Sequence, residues 1–264
     1  LGRIYYYNKM YDEAKKSFQN ATLANPKNAD AHYRMGLINY MKKKYSEAIK
    51  SFDKAIHVKP EFPKAFYSKG LSFMKLNDKS SAIKNLKTAV KQDPKLDRAY
   101  FNLGNIFLES KNYREALNYF TKDKQLRPNN PDTNFKIGEA YHEMKSYNNA
   151  TQFYEKTIEL DPQHYQALFN LGLIKYAKKQ YNDSIALFQK AANIKTDDHA
   201  SYYEIGKSYE SSGNENKAIE SYSKAISINP NYTKAYINLG QLYSKLKLFD
   251  KAVEQYKNAV TNNP

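Results

Sequence analysis

The chain has 264 residues, 41% hydrophobic and 26% charged, and its 42 Lys and Arg against 27 Asp and Glu give a formal charge of +15. It has no cysteine, which excludes disulfides, thiolate metal sites and a cysteine nucleophile and fits a reducing, cytoplasmic setting; no stretch reaches the ~18 apolar residues of a membrane span. The basic balance raises the expectation of acidic partners: nucleic acid, anionic lipid or acidic protein tails.

Along the chain one two-helix pattern recurs every 34 residues. We number its slots 1 to 34, so that Leu1 falls at slot 7. Residues 1–28 are a clipped first copy that begins in mid-helix without an initiator Met, which reads as a piece of a longer protein. Residues 29–62 show the pattern in full. Ala31, Met35 and Ile38 mark one apolar stripe, Lys42-Lys43-Lys44 a polar turn, and Ala48, Ile49, Phe52, Ala55 and Ile56 a second stripe that ends before Pro60. Residues 63–96 repeat this with Lys69 and Lys79 as charged departures, and 97–130 with Asp123 where alanine is usual. Residues 131–164 place Thr157 at that same slot, 165–198 lack the proline (Thr196), 199–232 carry Glu215 at slot 17, and 233–264 end on Pro264. A buried carboxylate at Asp123 predicts a looser or bent junction over 120–165 unless Arg127 or Lys124 compensates it.

Five columns hold the register: glycine at slot 8 (Gly36, Gly70, Gly104, Gly138, Gly172, Gly206, Gly240), a small residue at slot 20, an aromatic or leucine at slot 24, mostly alanine at slot 27 and proline at slot 32. On these residues the whole chain resembles the tetratricopeptide repeat. The resemblance implies an all-α, right-handed superhelix of antiparallel helix pairs, with first helices lining a concave groove through slots 2, 5, 6, 9, 12 and 13. The columns of small residues are where helices approach closely.

The resemblance therefore nominates Tyr33, Leu37, Tyr40, Met41, Tyr67, Leu71 and Met74 as an apolar wall, followed by Phe101, Asn102, Asn105, Phe135, Phe169, Asn170, Tyr203 and Asn238 in a more polar stretch. The aromatics have two readings. They pack the first helices together, or they form a ladder holding an apolar segment of a partner. Asn102, Asn170 and Asn238 match only in part the asparagine ladder of the nucleocytoplasmic O-linked N-acetylglucosamine transferases. The carboxylate clamp of chaperone-binding members is missing, because Asn105 follows Phe101 where that pattern has lysine. At slot 15, in the turn between the two helices, stand Lys43, Lys111, Lys145, Lys179 and Lys247, with Lys9 in the clipped copy. Their column reads either as cations complementing helix dipoles or as a basic edge for an acidic polymer such as a tubulin tail.

Catalytic and metal patterns are missing. His32, His57, His142, His164 and His199 share no metal-ligand spacing, and the slot-8 glycines form no phosphate loop. His142 beside Glu143 is a groove contact rather than a base, and four Asn-x-Ser/Thr sequons read as incidental. The sequence thus predicts a non-enzymatic scaffold without metal or cofactor, binding a protein or peptide segment within a larger assembly in an intracellular setting, with a cytoskeletal or ciliary one as an option. The alternatives are the substrate-recruiting arm of an enzyme such as that transferase, or a basic-edge binder.

Overall fold

The computed structural model describes residues 1–262, and these form sixteen helices and no strand. Two compact units divide the chain, Leu1–Pro128 and Asn129–Pro264. The first holds α1 (Gly2–Tyr7), α2 (Tyr11–Ala24), α3 (Ala29–Met41), α4 (Tyr45–Val58), α5 (Pro63–Lys75), α6 (Lys79–Gln92), α7 (Asp97–Glu109) and α8 (Tyr113–Leu126). The second holds α9 (Pro131–Glu143), α10 (Tyr147–Leu160), α11 (Tyr165–Ala177), α12 (Tyr181–Ile194), α13 (His199–Ser211), α14 (Glu215–Ile228), α15 (Thr233–Lys245) and α16 (Phe249–Asn262). Every complete first helix spans slots 1–13 and every second helix slots 17–30, so the period in the sequence is a period of helix pairs.

Local chemistry sets these bounds. Slot-34 side chains cap first helices: Asn28 accepts from the Ala31 amide and Asn130 from the Thr133 amide, each at 3.0 Å. Asp78, Asn112 and Asn214 at slot 16 cap second helices in the same way. Pro63 and Pro131 occupy the first helical position, where a missing N–H is harmless. Thr196 proves no exception in shape: α12 still stops at Ile194, and Lys195 leaves it extended (φ −121°, ψ 116°) much as Lys59 leaves α4 (φ −130°, ψ 92°).

The core of each pair is a slot-24 side chain laid on a glycine, a ring in every pair but α5 and α6, where Leu86 lies on Gly70. The Phe52 ring is fully buried over Gly36, and a methyl group added to that glycine would stand 2.4 Å from its Cε1. Gly104 and Phe120 repeat the arrangement at 2.5 Å. The fully buried alanines at slots 20 and 27 (Ala48, Ala55, Ala82, Ala89, Ala116) let the flanking helices close on this core.

Charged departures from the pattern are compensated across repeats. Lys79 pairs with Glu109 at 3.0 Å, and Glu215 with Lys245 at 3.4 Å, the same slot-17 to slot-13 contact with its charges reversed. Lys69 reaches Asp53 at 2.5 Å. Asp123 is fully buried, and both its oxygens accept from Arg127 at 2.9 Å; Arg127 also reaches Asp97 at 3.1 Å. Thr157 satisfies its hydroxyl on the Phe153 carbonyl at 2.8 Å.

Candidate functional site

The face built by slots 5, 6, 9, 12 and 13 of successive first helices is the candidate site in each unit. Its slot-5 rings are not free-standing. Tyr33 leans on Phe52 (5.7 Å between ring centroids) and on Phe62 (5.0 Å), Phe101 on Phe120 (5.8 Å), Phe169 on Phe188 (5.2 Å) and Tyr203 on Tyr222 (5.8 Å). Packing on the slot-24 ring of the same repeat leaves most of them half-buried, so both readings of these aromatics describe the same side chain. Phe135 is the extreme case. It is held between Tyr154 (5.7 Å) and His164 (4.6 Å), and at 8% exposure it serves the core rather than the surface.

Hydroxyls and amides stitch one repeat to the next. The Asn102 side-chain amide donates to the Tyr67 hydroxyl at 3.3 Å and to the Arg98 carbonyl at 2.8 Å. Asn238 donates to the hydroxyls of Tyr203 (3.3 Å) and Tyr222 (3.4 Å), and Asn170 to that of Tyr154 at 3.3 Å. Tyr33 makes the equivalent contact with Ser68 at 3.4 Å. The NH2 groups of these asparagines are therefore engaged within the chain. Sequence reasoning missed this; its trace is the tyrosine at slot 5 followed by a polar residue at slot 6 one repeat on.

The first unit's face is apolar. Leu37, Tyr40, Leu71 and Met74 are half-buried along it, and Met41 is 53% exposed. Asn105, one first helix on from Leu71, is half-buried. The second unit's face is charged but internally balanced. Lys136 pairs with Glu139 at 2.8 Å, and Lys207 with Glu204 at 2.9 Å. The Lys207 ammonium also stands 4.8 Å from the Tyr176 ring centre and 5.5 Å from that of Tyr203. Burial pulls its pKa down, but the Glu204 hydrogen bond and charge carry it above the ordinary lysine value. Burial raises the Tyr33, Tyr67 and Tyr203 phenols. Tyr222 is pushed further, because burial is joined by a 2.7 Å bond to Glu210. His142 lies 3.4 Å from the Tyr154 hydroxyl. No group of three His, Asp or Glu side chains suited to a metal ion occurs among the described residues.

The slot-15 lysines lie off this face, in the turns. Each of Lys9, Lys43, Lys111, Lys145, Lys179 and Lys247 is exposed and has a positive φ, between 57° and 60°. The turn is a Schellman motif: Lys44 N–H reaches the Asn39 carbonyl at 2.8 Å and Lys43 N–H that of Tyr40 at 2.9 Å. Glycine is the usual residue at that position. Only Gly213 supplies one here, and Asn77 is the other non-lysine.

Comparison with known proteins agrees with this geometry. Family models described as tetratricopeptide repeat match residues 1–65, 97–130, 141–205 and 233–264, and one described as TPR repeat matches 70–111 and 211–247. No curated protein sequence matches the chain. Among solved structures, a MamA protein is 30% identical over 63% of this chain and 91% of its own, with a TM-score of 0.60. The C-terminal part of a TPR repeat-containing protein from Cytophaga hutchinsonii is 21% identical over 89% and 96%, TM-score 0.76. YrrB, described as a TPR protein with an unusual peptide-binding site, is 22% identical over 71% and 96%, TM-score 0.63. No helix among the described residues is long and apolar enough to cross a membrane.

Proposed function

Because this chain belongs to the tetratricopeptide-repeat family, we propose that it is a protein-interaction scaffold that holds an apolar segment of a partner on the first-helix face of its N-terminal unit. The observation that carries this reading is the cluster of Tyr33, Leu37, Tyr40, Met41, Tyr67, Leu71 and Met74. Large side chains stand half-exposed there, already ordered by ring packing and by the Tyr33 and Tyr67 hydroxyl bonds. Ordering in the free protein lowers the entropy lost on binding. Tyrosine and methionine combine contact area with adaptability. Asn102, bonded to the Tyr67 hydroxyl, and half-buried Asn105 add polar side chains next to this apolar stretch for contacts with a bound backbone. A role as an enzyme's substrate-recruiting arm is less well supported, because the three ladder asparagines have their NH2 groups on neighbouring tyrosines.

Selection from a displayed random-peptide library tests the proposal. Binders rich in apolar residues are expected, and Met41→Glu together with Leu71→Ser should weaken them about tenfold or more, as loss of central anchors does. Unchanged affinity in that variant, with the helical signal intact, overturns the assignment.

A further inference from the structure

The geometry points to a second binding surface in each unit: the edge formed by the turns inside its repeats, built to hold an acidic polypeptide segment by its carboxylates. The argument starts from a conformational oddity. In the eight turns the left-handed position is taken once by glycine, once by asparagine and six times by lysine. A lysine there is strained by its Cβ, and both Gly213 and Asn77 occupy the same turn. Complementing the helix dipole does not account for Lys43, Lys179 and Lys247, since Lys42, Lys178 and Lys245 already stand at unstrained slots 13 and 14 of the same turns.

Nor are these lysines taken up by the fold. Their neighbours make bonds across repeats: Lys42 with Asp12, Lys178 with the Asn148 carbonyl oxygen, Lys245 with Glu215. The six left-handed lysines are exposed, and none enters an ion pair among the described residues. Slots 14 to 16 of the eight turns hold nine lysines and a single acid, Asp78, so eight of the fifteen net positive charges sit on this edge. The second residue after each left-handed lysine is aromatic (Tyr11, Tyr45, Tyr113, Tyr147, Tyr181, Phe249), whereas Asn77 and Gly213 are followed there by Lys79 and Glu215. Lysine and ring come and go together.

Two features favour a polypeptide over a nucleic acid. No arginine occurs at slots 14 to 16. Four of the six rings already lean on slot-12 partners: Tyr11 on Tyr6, Tyr45 on Tyr40, Tyr147 on His142 and Tyr181 on Tyr176, at 5.4 to 6.1 Å and steep angles. Those four brace their turns rather than form a row of free stacking platforms for bases. Successive first helices lie about 10 Å apart. An extended chain rising ~3.3 Å per residue then meets a turn roughly every third position within each unit, and three of the four turns in each unit carry the left-handed lysine. A run of glutamates or aspartates satisfies that spacing without any exact register.

The test uses a labelled polyglutamate peptide of about 20 residues and an oligouridylate of equal charge, followed by fluorescence anisotropy at low and moderate salt. One variant carries Lys43, Lys111, Lys145, Lys179 and Lys247→Gly. Its control removes the same charge elsewhere, with Lys54, Lys122, Lys156, Lys190 and Lys224→Gln. The edge variant should bind polyglutamate about tenfold more weakly or worse, and the control should stay within about twofold. The edge variant should melt no lower than the original, because glycine adopts the turn freely, so lost binding cannot be ascribed to lost structure. Equal weakening in both variants would reduce the effect to net charge. An edge variant that binds as well as the original, or oligouridylate bound more tightly than polyglutamate, overturns the proposal.

Discussion

Arg127→Met is expected to be among the most damaging single changes in the N-terminal unit, while Asp123→Ala is expected to do almost nothing. Asp123 stands at slot 27, where Ala55 and Ala89 pack in its sister repeats, and it is fully buried. Arg127 gives it two hydrogen bonds at 2.9 Å, lies over the Phe101 ring at 5.6 Å, and is itself 26% exposed. Methionine in its place strips both guanidinium bonds from a carboxylate that water does not reach, a loss of about 3–5 kcal/mol. The ring contact adds about 0.5–1 kcal/mol. Alanine at 123 instead removes the buried charge and restores the residue that packs this slot elsewhere, while Arg127 keeps Asp97 at 3.1 Å and its own access to solvent. Its effect should lie within about 1 kcal/mol of zero, and the double variant should add to it only the lost ring contact, giving a coupling of about 3–5 kcal/mol. Urea unfolding followed by circular dichroism, with native-state hydrogen exchange at α8 to localise the effect, measures each corner of the cycle. If Asp123→Ala proves as damaging as Arg127→Met, the carboxylate itself holds the helices together and the reasoning fails.

Gly104→Ala brings a methyl group to 2.5 Å from Phe120, whose ring has no room to retreat; the roughly 1–3 kcal/mol of overpacking should outweigh the ~1 kcal/mol gained in helix propensity, and a net rise in melting temperature would contradict it. Burial and then the 3.0 Å bond to Asp198 push the Tyr165 phenol up to about 12 from an ordinary 10. A raised folded-state pKa means its contribution is intact below pH 10 and is lost as pH climbs towards 12. Tyr165→Phe should therefore flatten part of the alkaline stability loss in that window, and an unchanged pH profile would discount the bond. Because Arg127 pairs buried Asp123 and Thr157 satisfies its hydroxyl on the Phe153 carbonyl, residues 120–165 should exchange amide protons no faster than 29–92; faster exchange there would show that the replaced alanines loosen the junction after all.

Helix pairs were legible because three signals coincide at fixed slots: apolar stripes of period 3.6, small residues at crossings and a proline after the second helix of every repeat but the one with Thr196. What escaped was pairing between residues about 30 or more positions apart. Asn102 looks in sequence like a ligand-facing amide, and only the Tyr67 hydroxyl 35 residues upstream shows that its NH2 group is spoken for. Phe135 shares its slot with exposed-face rings, yet His164 at the end of the same repeat closes over it. The charged intruders Lys79 and Glu215 read as weak points, but Glu109 and Lys245 on the next repeat answer them. The lysine column was visible; its left-handed backbone was not, because side-chain type alone does not report φ at a position that usually takes glycine.

The glycine and the ring that lies on it, Gly36 with Phe52 or Gly104 with Phe120, always belong to one 34-residue copy. A gene segment of that length therefore encodes a piece that brings this lock with it, while the rest of its core, as where Leu86 meets Ala99 and Leu103, is shared with the next copy. Unequal crossing-over can add or delete such a segment, leaving every remaining copy's lock complete and asking new fit only of the two surfaces at the splice. Array length in this family is in that sense an easily inherited variable, and lineages can lengthen or shorten their array without first evolving a new core.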